Sequence, residues 1–286
     1  LPAILSFDLA GIVVKTGPGV DFRLGVHVFA QSWFKHFSTC GGLQEYAIVD
    51  PLYSSIVPSN ITDLDAVVFP MNATTVAYAL FSSKGHGIPF PGTPESKSFD
   101  YKSQKLVIIG GGTNTGKLAI QLARIAGIGT IVAVASLSSE PELKSLGATH
   151  VVARQASDIK SQVRAIVSDD LVYTLDTFNK NDDLALAVSL LSDSKKGTLV
   201  HLVPGKPLDV KAQGKAAGYE QKWIGGYSNA IPEFGQMWWK QLKAWLESGD
   251  LRVLKYNVIQ GLDAEKINKA IDQIGTWSNQ RFHISL

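Results

Sequence analysis

Leu106–Ile109 followed by Gly110-Gly111-Gly112-Thr113-Asn114-Thr115-Gly116-Lys117 is the stretch whose residue types could do chemistry. An apolar strand runs into clustered glycines and then into helical spacing, with Lys117, Gln121 and Arg124 on one stripe and Leu118, Ala119, Leu122 and Ala123 available for burial. Strand, glycine turn and helix in that order aim free backbone N–H groups and a helix N-terminus at a phosphate. Glycine clusters also mark ordinary tight turns, so the order of elements is what favours the phosphate reading.

Two phosphate chemistries compete. Gly111 to Lys117 spells G-x-x-x-x-G-K, and Leu171 to Asp176 resembles the strand plus acid of a magnesium–nucleotide site. That motif needs Ser or Thr after the lysine to hold Mg²⁺, and this chain has Leu118. The dinucleotide reading takes Gly111 as first glycine, Thr113 in place of the second and Gly116 as third. A side chain at the second position pushes the pyrophosphate off the backbone, for which Thr113, Asn114 and Thr115 are expected to compensate with hydroxyl and amide donors; Gly112 and Gly116 are expected to contact the cofactor as well. An NAD site carries an acid for the ribose about twenty residues further on. Here stand Ser136, Ser138 and Ser139, with Lys144 downstream. Hydroxyls and a cation in place of a carboxylate suit a 2′-phosphate, which predicts NADPH as cofactor; a solvated helix face is the competing account of Lys144.

The surrounding elements fit an α/β reading. Strands are expected at 106–109, 130–135, 150–153, 171–175, 198–203 and 223–224, with helices at 116–126, 140–146, 157–167 and 182–191 between them. Unbroken apolar strands alternating with helices predict a doubly wound, Rossmann-type parallel sheet. Residues 1–60 read as β-rich, with strands at Gly11–Lys15, Val26–Ala30 and Tyr46–Val49, and Thr62 or Asp63 capping a short helix. Helical spacing resumes at Thr74–Phe81 and at Pro232–Glu247; a strand at 251–254, a helix at 263–274 and a strand at 282–286 close the chain. The expected division is 1–80 with 250–286 as a β-rich domain, and 81–249 as the nucleotide-binding domain.

Composition narrows the function classes. The 286 residues are 45% hydrophobic and 18% charged, with 27 Lys+Arg against 25 Asp+Glu. A net charge of +2 makes no electrostatic case for nucleic acid or an anionic membrane. No unbroken apolar run approaches the ~18 residues of a membrane span. Cys40 is the only cysteine, which excludes an intrachain disulfide and a four-thiolate zinc site and suits a reducing, cytoplasmic compartment. His27, His36, His86, His150, His201 and His283 show no ligand-like spacing, so no metal is expected. Leu1–Leu5 has neither the basic flank nor the length of a signal peptide.

These residues, in their order, resemble the medium-chain dehydrogenase/reductase superfamily. Pro2–Val13 is similar to the stretch leading into its GroES-like barrel, and Gly42-Leu43-Gln44-Glu45-Tyr46 to the segment closing it. Gly116 to Ala123, Leu146-Gly147-Ala148 and Leu171–Asp176 resemble its cofactor domain, and Ser248-Gly249-Asp250-Leu251 the return to the catalytic domain. Phe7-Asp8 stands where zinc-dependent members have His-Glu, so the resemblance is to the zinc-free quinone and enoyl reductases, especially fungal stand-alone enoyl reductases that act with polyketide synthases.

The resemblance implies a small-molecule substrate, hydride transfer to an activated C=C or quinone, and association with a synthase or a second copy. It implies that Met71, Asn72, Thr74, Thr75, Tyr227 and Ser228 face the substrate, with Thr75 the one candidate for positioning the nicotinamide. Leu202 and Val203 match a cofactor-contacting turn, and Arg154 falls where a tyrosine often lies near the adenosine phosphate. Family members carry further barrel strands before the stretch that begins here, which implies either that the sequence is a fragment or incomplete gene model or that the barrel is truncated and its site impaired. A cofactor-binding protein without turnover is therefore the rival reading.

Overall fold

The computed structural model describes residues 4–32, 37–209, 214–275 and 280–286. Leu1–Ala3, which open the resembling N-terminal stretch, and His36 lie outside the described residues. The chain forms two units, Leu1–Thr74 with Tyr227–Leu286, and Thr75–Gly226. The boundaries fall at 74/75 and 226/227 rather than at 80/81 and 249/250, so the long helix expected in the nucleotide domain belongs to the first unit.

In the first unit, β1 (Asp8–Ile12), β2 (His27–Gln31) and β3 (Ser54–Ile56) form an antiparallel sheet. α1 (Phe37–Cys40) lies between β2 and β3, and α2 (Asp63–Ala66) follows β3. Thr62 caps α2 reciprocally: its hydroxyl accepts from Asp65 N, and the Asp65 carboxylate accepts from Thr62 N. The Tyr46–Val49 strand does not form; β3, eight residues later, supplies the pairing, because Ser54 and Ser55 lie in register with Ala30 and Phe29. α3 (Pro70–Phe81) starts earlier than its spacing suggested, since Pro70 is suited to a first helical turn.

The second unit is the doubly wound sheet. β4 (Lys105–Ile109), β5 (Thr130–Ala135), β6 (His150–Ala153), β7 (Tyr173–Asp176), β8 (Gly197–His201) and β9 (Tyr219–Trp223) are all parallel, in the order β6-β5-β4-β7-β8-β9. The crossovers are α4 (Asn114–Ala126), α5 (Glu140–Leu146), α6 (Ile159–Val167) and α7 (Ala185–Leu190). Val163 of the expected α6 stripe is fully buried, with Ile159 and Ile166 packed beside it on one core of Val107, Val132, Leu199 and neighbours. Chain order reverses between β4 and β7, the switch point at which the ends of two adjacent strands open a crevice.

The chain then returns to the first unit. α8 (Pro232–Glu247) buries Phe234, Trp238, Trp239 and Trp245, and Gly249 at φ +74° ends it in the left-handed conformation favoured by glycine. No strand forms at 251–254; β10 (Asn257–Gln260) pairs in parallel with β11 (Phe282–Ser285), and α9 (Ala264–Gly275) joins them. Asp63–Phe81, 19 residues, is long and apolar enough by composition to cross a membrane, a stretch that counting unbroken apolar runs passes over. Its burial, 72% inside the protein, is that of a core helix.

Two buried histidines give the fold a pH dependence. His86 lies edge-on to Tyr173, and neither of its ring nitrogens has a hydrogen-bond partner among the described residues. Burial, then the Lys222 charge, pushes it from 6.5 to about 3. Burial, then Arg281, pushes His283 to about 4. An unfolded chain protonates these rings below their ordinary value, whereas the native chain resists until well below it. The unfolded state therefore binds more protons between those limits, and stability falls as pH drops through that window. We expect the urea midpoint to fall between about pH 7 and about pH 5, and His86→Leu to flatten that fall. A variant with the wild-type pH dependence would rule His86 out as a source.

Candidate functional site

The glycine turn is built by close backbone approach. Gly110 and Gly111 N–H groups both donate to Val134 O at 3.1 Å, which folds the turn over the end of β5. Gly110 sits at φ +76°, and a Cβ there would lie 2.5 Å from Thr177 Oγ1. A Cβ on Gly116 would lie 2.3 Å from Gly110 O, so only glycine lets the first turn of α4 seat against β4.

Thr113 does a different job from the one expected of it. Its hydroxyl accepts from Gly116 N at 2.9 Å as the N-cap of α4 and meets Thr177 Oγ1 at 2.9 Å, so it is turned inward and not offered outward as a donor. Thr177 was not singled out in the sequence, yet its hydroxyl reaches Ile109 O and Gly110 O at 3.0 Å each and ties the β7 end to the glycine turn across the switch point. The available signal was its place, directly after the acid that ends an apolar strand. The N–H groups of Gly112, Asn114 and Thr115 have no acceptor among the described residues. These are the orphan donors of a helix N-terminus, and they carry its positive end.

The magnesium–nucleotide expectation does not hold. Lys117 Nζ pairs with Glu142 of α5 at 2.8 Å, and Leu118 is fully buried. Asp176 accepts from Phe178 N, Asn179 N and Asn179 Nδ2 at 2.8–3.0 Å, closing its own turn. Burial raises its carboxyl above the usual range, against those hydrogen bonds.

Beside the turn, Ser136 Oγ and Ser138 Oγ are 2.9 Å apart at the end of β5, and Ser139 Oγ would lie 3.6 Å from a Cβ on Gly112. Ala135 and Ala153 are in register, and Arg154 N donates to Ala135 O at 2.8 Å, which sets Arg154 beside Ser136 at the C-terminal edge of the sheet. The Arg154 side chain is exposed and has no partner among the described residues. Lys144 is not brought there: its ammonium donates to Thr149 O, at the opposite, N-terminal ends of β5 and β6. Leu202 and Val203 follow β8 at the C-terminal edge, with Leu202 N donating to Asp176 O at 3.0 Å and Val203 O held by His201 Nδ1 at 2.9 Å.

The residues expected to face substrate divide differently. Thr74 is fully buried and its hydroxyl accepts from Trp238 Nε1 at 2.9 Å. Ser228 is buried, donating from N and Oγ to Gln31 Oε1 at 2.8 Å each and accepting from Trp239 Nε1 at 2.9 Å. Both hydroxyls thus hold the first unit together, which corrects their assignment as open to substrate. Met71 N donates to Asp8 Oδ1 at 2.6 Å; the half-buried Asn72 side chain carries no hydrogen bond among the described residues. Thr75 is buried in the second unit against Gly226, where a Cβ would come within 2.3 Å of Thr75 N. Tyr227 is half-buried, its ring 6.5 Å from Phe7.

Asp8, in place of the zinc branch's glutamate, is held by Arg281 and Met71. Burial raises its carboxyl, opposed by Arg281 at 3.2 Å and by Met71 N. Arg281 also donates to Val67 O at 2.6 Å and to His283 Nε2 at 2.7 Å, and the other His283 nitrogen meets Leu64 O at 2.7 Å. Among the described residues no three His, Cys, Asp or Glu side chains are grouped to hold a metal.

Residues 115–229 match the family model described as zinc-binding dehydrogenase. The trans-enoyl reductase himH of Aspergillus japonicus is 31% identical over 218 residues, 74% of this chain and 61% of that protein, so the match spans about three fifths of that relative. The dehydrogenase orsE of Emericella nidulans is 27% identical over 288 residues, 94% of this chain and 79% of that one. The Escherichia coli quinone oxidoreductase complexed with NADPH has the same fold, with TM-score 0.73 at 17% identity over 96% of this chain and 80% of that one. The glycine turn at the switch point, the matched cofactor domain and these relatives agree: the chain belongs to the medium-chain dehydrogenase/reductase superfamily and is similar to its enoyl and quinone reductases.

Proposed function

We propose that the chain is an NADPH-dependent, zinc-free oxidoreductase that reduces an activated C=C, as in an enoyl thioester, or a quinone. The observation that carries the cofactor choice is Arg154: an exposed cation with no partner among the described residues, whose backbone lies next to Ser136 at the strand end where an NAD site carries an acid. The cradle fits a dinucleotide. Gly111 and Gly116 leave no room for a Cβ, and the Gly112, Asn114 and Thr115 N–H groups are left to bind phosphate oxygens. When bound, the nicotinamide supplies the hydride; the protein's part is to bind and orient it. Here the α4 N-terminus would hold the pyrophosphate, Ser136, Ser138 and Arg154 the 2′-phosphate, and Leu202 and Val203 would flank the cofactor.

The second reading, cofactor binding without turnover, has its own observation. Of the two substrate-side hydroxyls, Ser228 Oγ spends its proton on Gln31 Oε1, and Thr74 is fully buried against Trp238. NADPH oxidation with enoyl thioesters and quinones separates the readings. Turnover on either acceptor supports the reductase, and NADPH binding with no turnover supports the second reading.

Three variants test the cofactor site by titration of nicotinamide fluorescence. Arg154→Ala is expected to weaken NADPH by about ten- to a hundredfold, the worth of a charge-assisted hydrogen bond, and to leave NADH unchanged. Ser136→Asp is expected to shift preference towards NADH through repulsion of the 2′-phosphate. Equal losses for both cofactors in Arg154→Ala, or undiminished NADPH affinity in Ser136→Asp, would overturn the NADPH assignment. Gly116→Ala is expected to unseat α4, costing about 1–3 kcal/mol of stability as an overpacked contact does and weakening both cofactors together.

A further inference from the structure

The turn after β8 is tied down from both neighbouring strands. Leu202 N donates to Asp176 O of β7 at 3.0 Å, and Leu202 O accepts from Trp223 Nε1 of β9 at 3.2 Å. No cis peptide occurs among the described residues, and a trans peptide sets its C=O and N–H on opposite sides. The Val203 N–H therefore faces away from the Trp223 indole. It has no acceptor among the described residues, in a turn that is half-buried and not sealed in the core.

The other end of Val203 is held through a relay of two side chains. Leu208 N donates to Gln221 Oε1 at 3.0 Å, which assigns that amide oxygen as acceptor and leaves the amide nitrogen as donor. Gln221 Nε2 lies 3.2 Å from His201 Nε2, so the imidazole accepts there and carries its proton on Nδ1. That proton is donated to Val203 O at 2.9 Å. His201 is 2% exposed, so water does not compete for either nitrogen. Sheet register sets His201 between Asp176 and Trp223, the two residues that hold Leu202. The competing account is a core histidine that serves packing alone; it predicts lost stability with no selective change in what the turn binds.

We propose that His201, its tautomer set by Gln221, is a positioning residue: it holds Val203 so that the Val203 N–H is offered to the nicotinamide half of a dinucleotide. This rests on the nicotinamide reading of the site. His201 touches no ligand and moves no proton. The relay acts on one half of the ligand, since the glycine turn, Ser136 and Arg154 serve the adenosine half at the ends of β4, β5 and β6.

Long-range ¹H–¹⁵N NMR of the imidazoles tests the relay in the full chain without cofactor. We expect one ring held as the Nδ1–H tautomer at neutral pH, its signals missing from His201→Asn. An Nε2–H tautomer or an imidazolium at His201 would overturn the proposal. Titrations with NADPH, NADH and 2′,5′-ADP then test the role. His201→Leu is expected to weaken NADPH and NADH alike by about tenfold, the loss of one hydrogen bond, with 2′,5′-ADP bound as in the wild type. His201→Asn, whose amide nitrogen can stand in for Nδ1, is expected to recover most of that affinity. If circular dichroism shows that His201→Leu does not fold, Gln221→Leu carries the same test: mixed tautomers at His201 and dinucleotide affinity lower by about threefold, again with 2′,5′-ADP unchanged. An equal loss of 2′,5′-ADP, or His201→Asn no better than His201→Leu, would overturn the positioning role. NADPH binding that the folded variants leave intact removes that role alone, whereas wild-type protein that binds neither dinucleotide removes the nicotinamide reading with it.

Discussion

The contact between Gly116 and the Gly110 carbonyl is the constraint on which the nucleotide-binding unit depends. A single methyl group at 116 would stand 2.3 Å from that oxygen, so the helix approaches the strand end as closely as backbone allows. From that approach the rest follows. Thr113 lands at the N-cap, its hydroxyl takes the Gly116 N–H, and the Gly112, Asn114 and Thr115 N–H groups are left without an acceptor among the described residues. The same hydroxyl reaches Thr177, so two strand ends that are far apart in sequence are joined at the switch point. Lys117, one residue further on, is rotated onto Glu142 and takes no part in the cradle.

The first unit is organised by charge rather than by glycine. Asp8 and Arg281, 273 residues apart, meet inside it. Arg281 also holds Val67 O and a neutral His283, which stacks on Tyr256 at 4.2 Å. A buried ion pair is weak evidence for stability, because desolvation offsets most of its attraction. Its value here is geometric: Asp8 accepts the Met71 N–H and so fixes the start of α3, the helix that carries Met71, Asn72 and Thr74.

Much of the second unit was legible because its signals are local. β5, β6 and α5 form over the spans expected, since apolar runs bounded by Gly, Pro and Ser leave little choice of period or length. Spacing within one strand–turn–helix unit likewise singles out Gly116, Gly112 and Ser136, which the fold sets at the glycine turn and the end of β5. The misses share a different cause. Tyr46–Val49 has strand composition yet stays unpaired, while Ser54–Ile56 pairs because β2 presents its edge to it. Lys144 has the right charge and a plausible distance along the chain, but it sits at the wrong end of β5.

The sequence by itself determined the doubly wound sheet, the glycine cradle and the absence of an acid at the end of β5. Each of these rests on residues within one turn or one strand of each other, where backbone sterics and side-chain period suffice. Only the tertiary structure decided which polar groups remain available. Thr74 and Ser228 are held against Trp238, Trp239 and Gln31, Thr113 is spent on its own helix, and Arg154 at the strand end has no partner among the described residues. Hydrogen-bond partners as far apart in sequence as Gln31 and Ser228, 197 residues, cannot be read from local spacing, because whether a donor is satisfied depends on what folding brings beside it.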